Sequence, residues 1–168
     1  FDVSDPVLPQ IIGEYLIGSG GGPAYGFNLE LKDNLAILAN PTINSFQIVD
    51  LNITSNPTLQ SNPILKSEME IIDAQDTTVS GSTAYVSAGT DGVKIIDISN
   101  PDSPIILSTF ATNAKSSSIE GNILSVIKSV NLGNGNFKNK IELIDVSNPL
   151  SPEKKAEIEL IGSAEDLV

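Results

Sequence analysis

Short apolar runs rich in Ile, Leu and Val, separated by clusters of Gly, Asn, Ser and Pro, fill the chain and predict strands joined by turns. No helical period fits them. One phrase occurs four times: FDVSDPVLP from Phe1, FQIVDLNITSNP from Phe46, VKIIDISNPDSP from Val93 and IELIDVSNPLSP from Ile141. Its aspartates are Asp2, Asp50, Asp97 and Asp145, at intervals of 48, 47 and 48 residues. A second marker, an Ala opening a strand, a tight turn and another strand, begins at Ala24, Ala74, Ala114 and Ala164, at intervals of 50, 40 and 50. Strands are therefore regular while the loops between the markers vary in length.

The unit from Ala74 shows the pattern best. It predicts strands over 76–80, 83–88, 92–98 and 105–111, with TAYVSA reading as an alternating strand. Gly81-Ser82 makes a tight hairpin, Thr90-Asp91-Gly92 a second reversal, and Ser-Asn-Pro-Asp-Ser-Pro a corner, because Gly accepts positive φ and Pro cannot donate to a ladder. Four antiparallel strands repeated every 40 to 50 residues or so predict an all-β fold of β-propeller blades. A β-solenoid or a sandwich array fits less well, since solenoid rungs are shorter and sandwiches rarely repeat one phrase.

The predicted division is a partial blade over 1–22, blades over 23–72, 73–113 and 114–162, and the start of another over 163–168. That is about three and a half blades, whereas closed propellers typically hold four to eight. An incomplete propeller segment is the expectation, completed by a longer parent chain or by self-association, because an open arc exposes strand edges.

These phrases carry a resemblance. FQIVDL, VKIIDIS and IELIDVS, with the Ser-Asn-Pro that follows, resemble the LVIVD-repeat family across essentially the whole chain. The second copy departs by Asn52-Ile53-Thr54 before its Ser-Asn-Pro, and the first has Ser4-Asp5-Pro6 instead. The resemblance implies β-propellers of bacterial or archaeal surface or secreted proteins, mostly without an assigned activity.

Composition narrows the chemistry. The chain has no His, Cys, Trp or Arg, so no Cys nucleophile, no Ser-His-Asp triad and no His or Cys metal ligand is available. Nine Lys stand against 21 acidic residues, a formal net charge of −12, which disfavours nucleic acid and anionic membranes. No apolar run approaches the roughly 20 residues of a membrane-spanning helix. An acidic surface rich in Ser, Thr and Asn leans towards export.

Candidate site residues are few. Asp2, Asp50, Asp97 and Asp145, with Pro6, Pro57, Pro101 and Pro149, recur in every unit, as a structural turn does and a catalytic group does not. Asp76 and Asp166 open first strands, the strands that line a propeller channel, and with Asp73 and Glu165 they are the candidates for a calcium ion; the corresponding residues elsewhere read as Gly26 and Ser116. Gly18 to Gly22 lacks the Gly-Lys-Ser/Thr of a phosphate loop and reads as an inter-blade connection. Ser129 to Asn139 reads as a long solvated loop. Asn52-Ile53-Thr54 fits a glycosylation sequon, which matters only in a eukaryotic secretory route. The expected function is a non-catalytic module that binds a protein or glycan, without a cofactor. The alternatives are a hydrolase or lyase using carboxylates or calcium in the channel, and an inert spacer.

Overall fold

The computed structural model describes Val7 and residues 28–52, 63–133 and 136–160. Asp2, Pro6, Pro57, Asp166, Glu165, Gly26, the Gly18 to Gly22 stretch, and Ile53 and Thr54 of the sequon lie outside those residues. The described chain forms three four-stranded antiparallel sheets, each a meander in sequence order. The first holds β1 (Asn28–Lys32), β2 (Leu35–Asn40), β3 (Ser45–Asp50) and β4 (Ile64–Glu70). The second holds β5 (Asp76–Ser80), β6 (Thr83–Ser87), β7 (Val93–Asp97) and β8 (Ile105–Phe110), within one residue of the bounds its sequence predicts. The third holds β9 (Ala114–Glu120), β10 (Ile123–Gly133), β11 (Asn136–Asp145) and β12 (Glu153–Glu159). We call them blades 1, 2 and 3.

Local chemistry repeats from blade to blade. The first hairpin of each closes over two residues, whose first member, Asp33, Gly81 or Gly121, has φ of 55°, 57° or 58°. The amide of Leu51, Ile98 or Val146 then donates to the carbonyl of Asn34, Ser82 or Asn122 at 2.9 Å, pinning the end of the third strand to that loop. A register shift marks the outer strand of every blade, opposite Ile48/Val49, Ile95/Ile96 and Leu143/Ile144. The bulged residues are Lys66, Leu107 and Lys155.

The blades stack face to face. Ile37, Ala39, Phe46 and Ile48 of blade 1 pack with Ala84, Val86 and Ile96 of blade 2 in one core. Tyr85, Val93 and Ile95, from the opposite face of blade 2, pack with Leu124, Val126 and Ile144 of blade 3 in another. Blade 2 is thus covered on both sides, and Ala84 to Ala88 are all buried. TAYVSA is therefore a doubly covered strand, and its burial does not alternate.

Two expectations change. Residues 129–133 and 136–139 are no free loop: β10 runs to Gly133 and β11 begins at Asn136, pairing Lys128 with Lys140, Val130 with Lys138 and Asn131 with Phe137. The counterpart of Asp76 in blade 1 is Asn28, two residues beyond Gly26, since Asn28, Asp76 and Ser116 each lie five residues before their hairpin's positive-φ residue. Blade 1 carries two more residues between its Ala and that turn than the other blades do.

Glycine 92 and glycine 81 separate strain from crowding. Both sit at positive φ, but a Cβ on Gly92 would meet the Phe110 carbonyl oxygen at 2.2 Å, whereas one on Gly81 meets nothing within 4 Å. Gly81→Ala should cost about 1 kcal/mol for the left-handed conformation alone, and Gly92→Ala about 3 kcal/mol. Urea midpoints of the two variants check this; equal losses would contradict it.

Candidate binding surface

The repeated aspartates end the third strands. An Oδ1 of Asp50, Asp97 and Asp145 accepts the amide of Asn52, Ser99 and Ser147, respectively, at 2.8, 2.8 and 2.9 Å. Asn34 Nδ2 also donates to Asp50 at 2.7 Å. The next Asn repeats the device: Asn100 and Asn148 accept from the amides of Asp102 and Leu150 at 3.2 Å, while their carbonyls receive Ser103 N and Ser151 N at 3.0 Å. Pro101 and Pro149 occupy the second position of those turns, where a fixed φ and a missing donor are harmless. The Ser99 amide and hydroxyl hold the Asp97 carboxyl below its usual value. Hydrogen bonds from Ser147 and then Lys155 lower that of Asp145 to about 2. Each aspartate serves the corner of its own blade, and the structure does not bring them together.

Asp76 joins blades. It is buried at the start of β5, beside β9, and its Oδ2 accepts the backbone amide of Ser117 at 2.6 Å. Asn28 makes the equivalent, longer contact one blade earlier, its Oδ1 accepting Thr77 N at 3.4 Å. The Ser87 hydroxyl donates to that of Ser117 at 3.2 Å in the same seam. Asp73 lies apart, at φ 55°, with its amide donating to Asn44 Oδ1 and its carboxylate accepting Gln75 Nε2, both at 3.0 Å. Among the described residues no three acidic side chains gather as a metal-binding group.

The chemistry that sequence reading missed lies on the face of blade 3 turned to blade 2. Beyond the apolar layer, Lys128 of β10 reaches Glu142 of β11 at 2.9 Å and Glu157 of β12 at 2.6 Å. Lys140 meets Glu157 at 2.6 Å, and Lys154 meets Glu142 at 2.8 Å and Glu157 at 2.7 Å. Lys138 pairs with Glu159 further out. Thr112, in the connection from blade 2, donates to the other oxygen of Glu142. Glu142 is only 4% exposed. Burial pushes its carboxyl up, but hydrogen bonds from Lys154, Thr112 and Lys128 outweigh that and hold it below the usual carboxylate range. Hydrogen bonds from Lys128, Lys140 and Lys154 depress Glu157 further. The available signal was the alternation of Lys and Glu in KNKIELID and EKKAEIE, which puts opposite charges on one face.

This ladder lies at the base of a longer hairpin, and the Lys138–Glu159 pair reaches onto its extension. In blade 2 the equivalent hairpin stops at Ser87 and Val93, while in blade 3 the pairing runs on to Gly133 and Asn136. At its tip Asn131 Oδ1 accepts Gly133 N at 2.8 Å, and Leu132 is 63% exposed.

Carboxyls held below their unfolded values stabilise the fold fully above about pH 4 and lose that contribution as pH falls through their folded values. For Asp145 the loss runs down to about pH 2. The denaturation midpoint of the chain should therefore fall steeply between about pH 4 and pH 2. Lys154→Met, which removes a partner of both Glu142 and Glu157, should flatten that fall; an unchanged acid limb would contradict the assignment.

The chain is similar to solved structures and, over part of its length, to one family model. A chain of the S. cerevisiae assembly of a Dbp5 variant with Nup159, a Gle1 variant, IP6 and ADP is similar, with a TM-score of 0.49 and 14% identity over 79% of this chain and 30% of that one. The N-terminal domain of Nup159 gives a TM-score of 0.46 and 14% identity over 80% of this chain and 44% of that one. The present chain thus spans less than half of either. No curated protein matches it. The LVIVD repeat matches residues 73–112 and 135–158. Blade 2 and the β11–β12 half of blade 3 are thus similar to the LVIVD repeat that the strand phrases resemble, and the sheets are the four-stranded antiparallel β-propeller blades that those phrases suggested.

Proposed function

We propose that this chain is a non-catalytic interaction module of a bacterial or archaeal surface or secreted protein, and that it holds a protein or glycan by shape complementarity. The observation that carries this reading is the β10–β11 ribbon, which prolongs one hairpin of an otherwise regular stack and exposes Asn131, Leu132 and Gly133 at its end. A ribbon braced by β12 and by the Lys140, Glu157, Lys138 and Glu159 pairs offers a contact surface that loses little conformational freedom on binding. Asp50, Asp76, Asp97, Asp145 and Glu142 are engaged as hydrogen-bond acceptors, a use that favours scaffolding over acid-base chemistry.

Replacing residues 129–139 by Asn-Gly leaves Lys128 opposite Lys140 and shortens the ribbon to a tight turn. Wild type and the shortened chain, applied to the same glycan and tiled-peptide arrays, should differ: the ligands that wild type retains should be lost by about tenfold or more in affinity, which is about 1.4 kcal/mol. Equal retention by a folded shortened chain, or turnover of an arrayed glycan, would sink the reading.

A further inference from the structure

The three outer strands occupy equivalent places but differ in chemistry. β4 reads ILKSEME and β12 EKKAEIE, and both carry a Lys at the bulge, Lys66 or Lys155, and a Glu two residues later, Glu68 or Glu157. β8 reads IILSTF, with Leu107 at the bulge and Thr109 after it, and has no charge along its length. Charges, Lys above all, are the usual guard of an edge strand against further pairing. Blades 1 and 3 keep that guard and blade 2 does not.

The strand is also open. β8 is the last strand of its sheet, and Ile105 and Ile106 are 60% and 42% exposed. Its ends, by contrast, are acidic. Asp97 lies opposite Ile105; Asp102, in the corner just before it, pairs with Lys66 at 2.8 Å, and Asp91, which precedes Val93, the partner of Phe110, lies 3.9 Å from Lys94. Residues 73–112 hold five Asp and one Lys.

We propose that β8 accepts an extended segment of a partner protein as a fifth strand of blade 2, a segment apolar and β-branched along its middle with Lys or Arg at both ends. Backbone hydrogen bonds to the edge supply affinity, Ile105 and Ile106 supply apolar contact, and the excess of Asp over Lys in and around the blade favours basic flanks. A second copy of this chain fits less well, because each copy brings a net charge of −12. The proposal is independent of the β10–β11 ribbon.

The test uses the decapeptide KKTIVITVKK, a glutamate-flanked version EETIVITVEE, and the full chain. Fluorescence anisotropy should show the basic peptide binding wild type about tenfold or more tightly than the acidic one. Leu107→Lys, which copies Lys66 and Lys155, and Thr109→Lys, at an exposed site, should each weaken the basic peptide by about tenfold with the fold kept, as circular dichroism reports. Hydrogen exchange should slow within residues 105–110 on binding. Equal binding by wild type and both folded variants would overturn the proposal. So would light scattering showing a wild-type dimer that Leu107→Lys dissolves, which would give the edge to a second copy.

Discussion

A four-stranded blade has two apolar faces, and each stays wet until another blade lies against it. Blade 2 shows the constraint met on both sides, with Ala84, Val86 and Ile96 facing blade 1 and Tyr85, Val93 and Ile95 facing blade 3. Each fully buried Ile or Val contributes roughly 1.5–3 kcal/mol through removal from water, so these layers dominate the stability of the stack. Apolar layers tolerate sliding, however, and the register between blades needs directional bonds. The Asp76 carboxylate on the Ser117 amide supplies one from a buried position, where a charged acceptor is strong and the alternative is an orphaned donor. The Thr112 to Glu142 bond supplies another near the rim between the same two blades.

Once stacking fixes the central strands, variation is left to the edges and the hairpin ends. β10 and β11 lengthen without disturbing the core because the added pairs lie beyond Ile127 and Ile141, where the shorter hairpin of blade 2 has already turned. The outer strands share one bulge yet hold different charges, and so they differ in what may pair with them. Recognition on such a scaffold is a property of these peripheral positions.

The strands of blade 2 and the corners were legible in the sequence because their signals are local: Gly81 at positive φ, Asp97 and Asp145 capping the amide two residues on, Pro101 and Pro149 in their turns. Asp76 was singled out as a channel carboxylate, but its role depends on an amide 41 residues away, which no local pattern specifies. The equivalence of Asn28 was hidden by the extra two residues after Ala24, so that counting from the Ala led to Gly26. The Lys and Glu ladder follows from pairings across β10, β11 and β12, and a register must be known before alternating charges can be matched. Residues 129–139, rich in Gly and Asn, carry loop composition, yet the paired strands extend the ladder into them as far as Gly133 and Asn136.

The central claim is that the stack of blades is held in register by the buried carboxylate between blades 2 and 3. Amide hydrogen exchange at Ser117, followed by nuclear magnetic resonance in wild type and in Asp76→Asn and Asp76→Ala, tests it most directly. The account predicts a Ser117 amide protected in wild type to the level of the strand cores, partly protected in Asp76→Asn, and released in Asp76→Ala while the amides within β6 and β7 stay slow. A Ser117 amide that exchanges as an exposed group in wild type, or one equally protected in all three proteins, would contradict it.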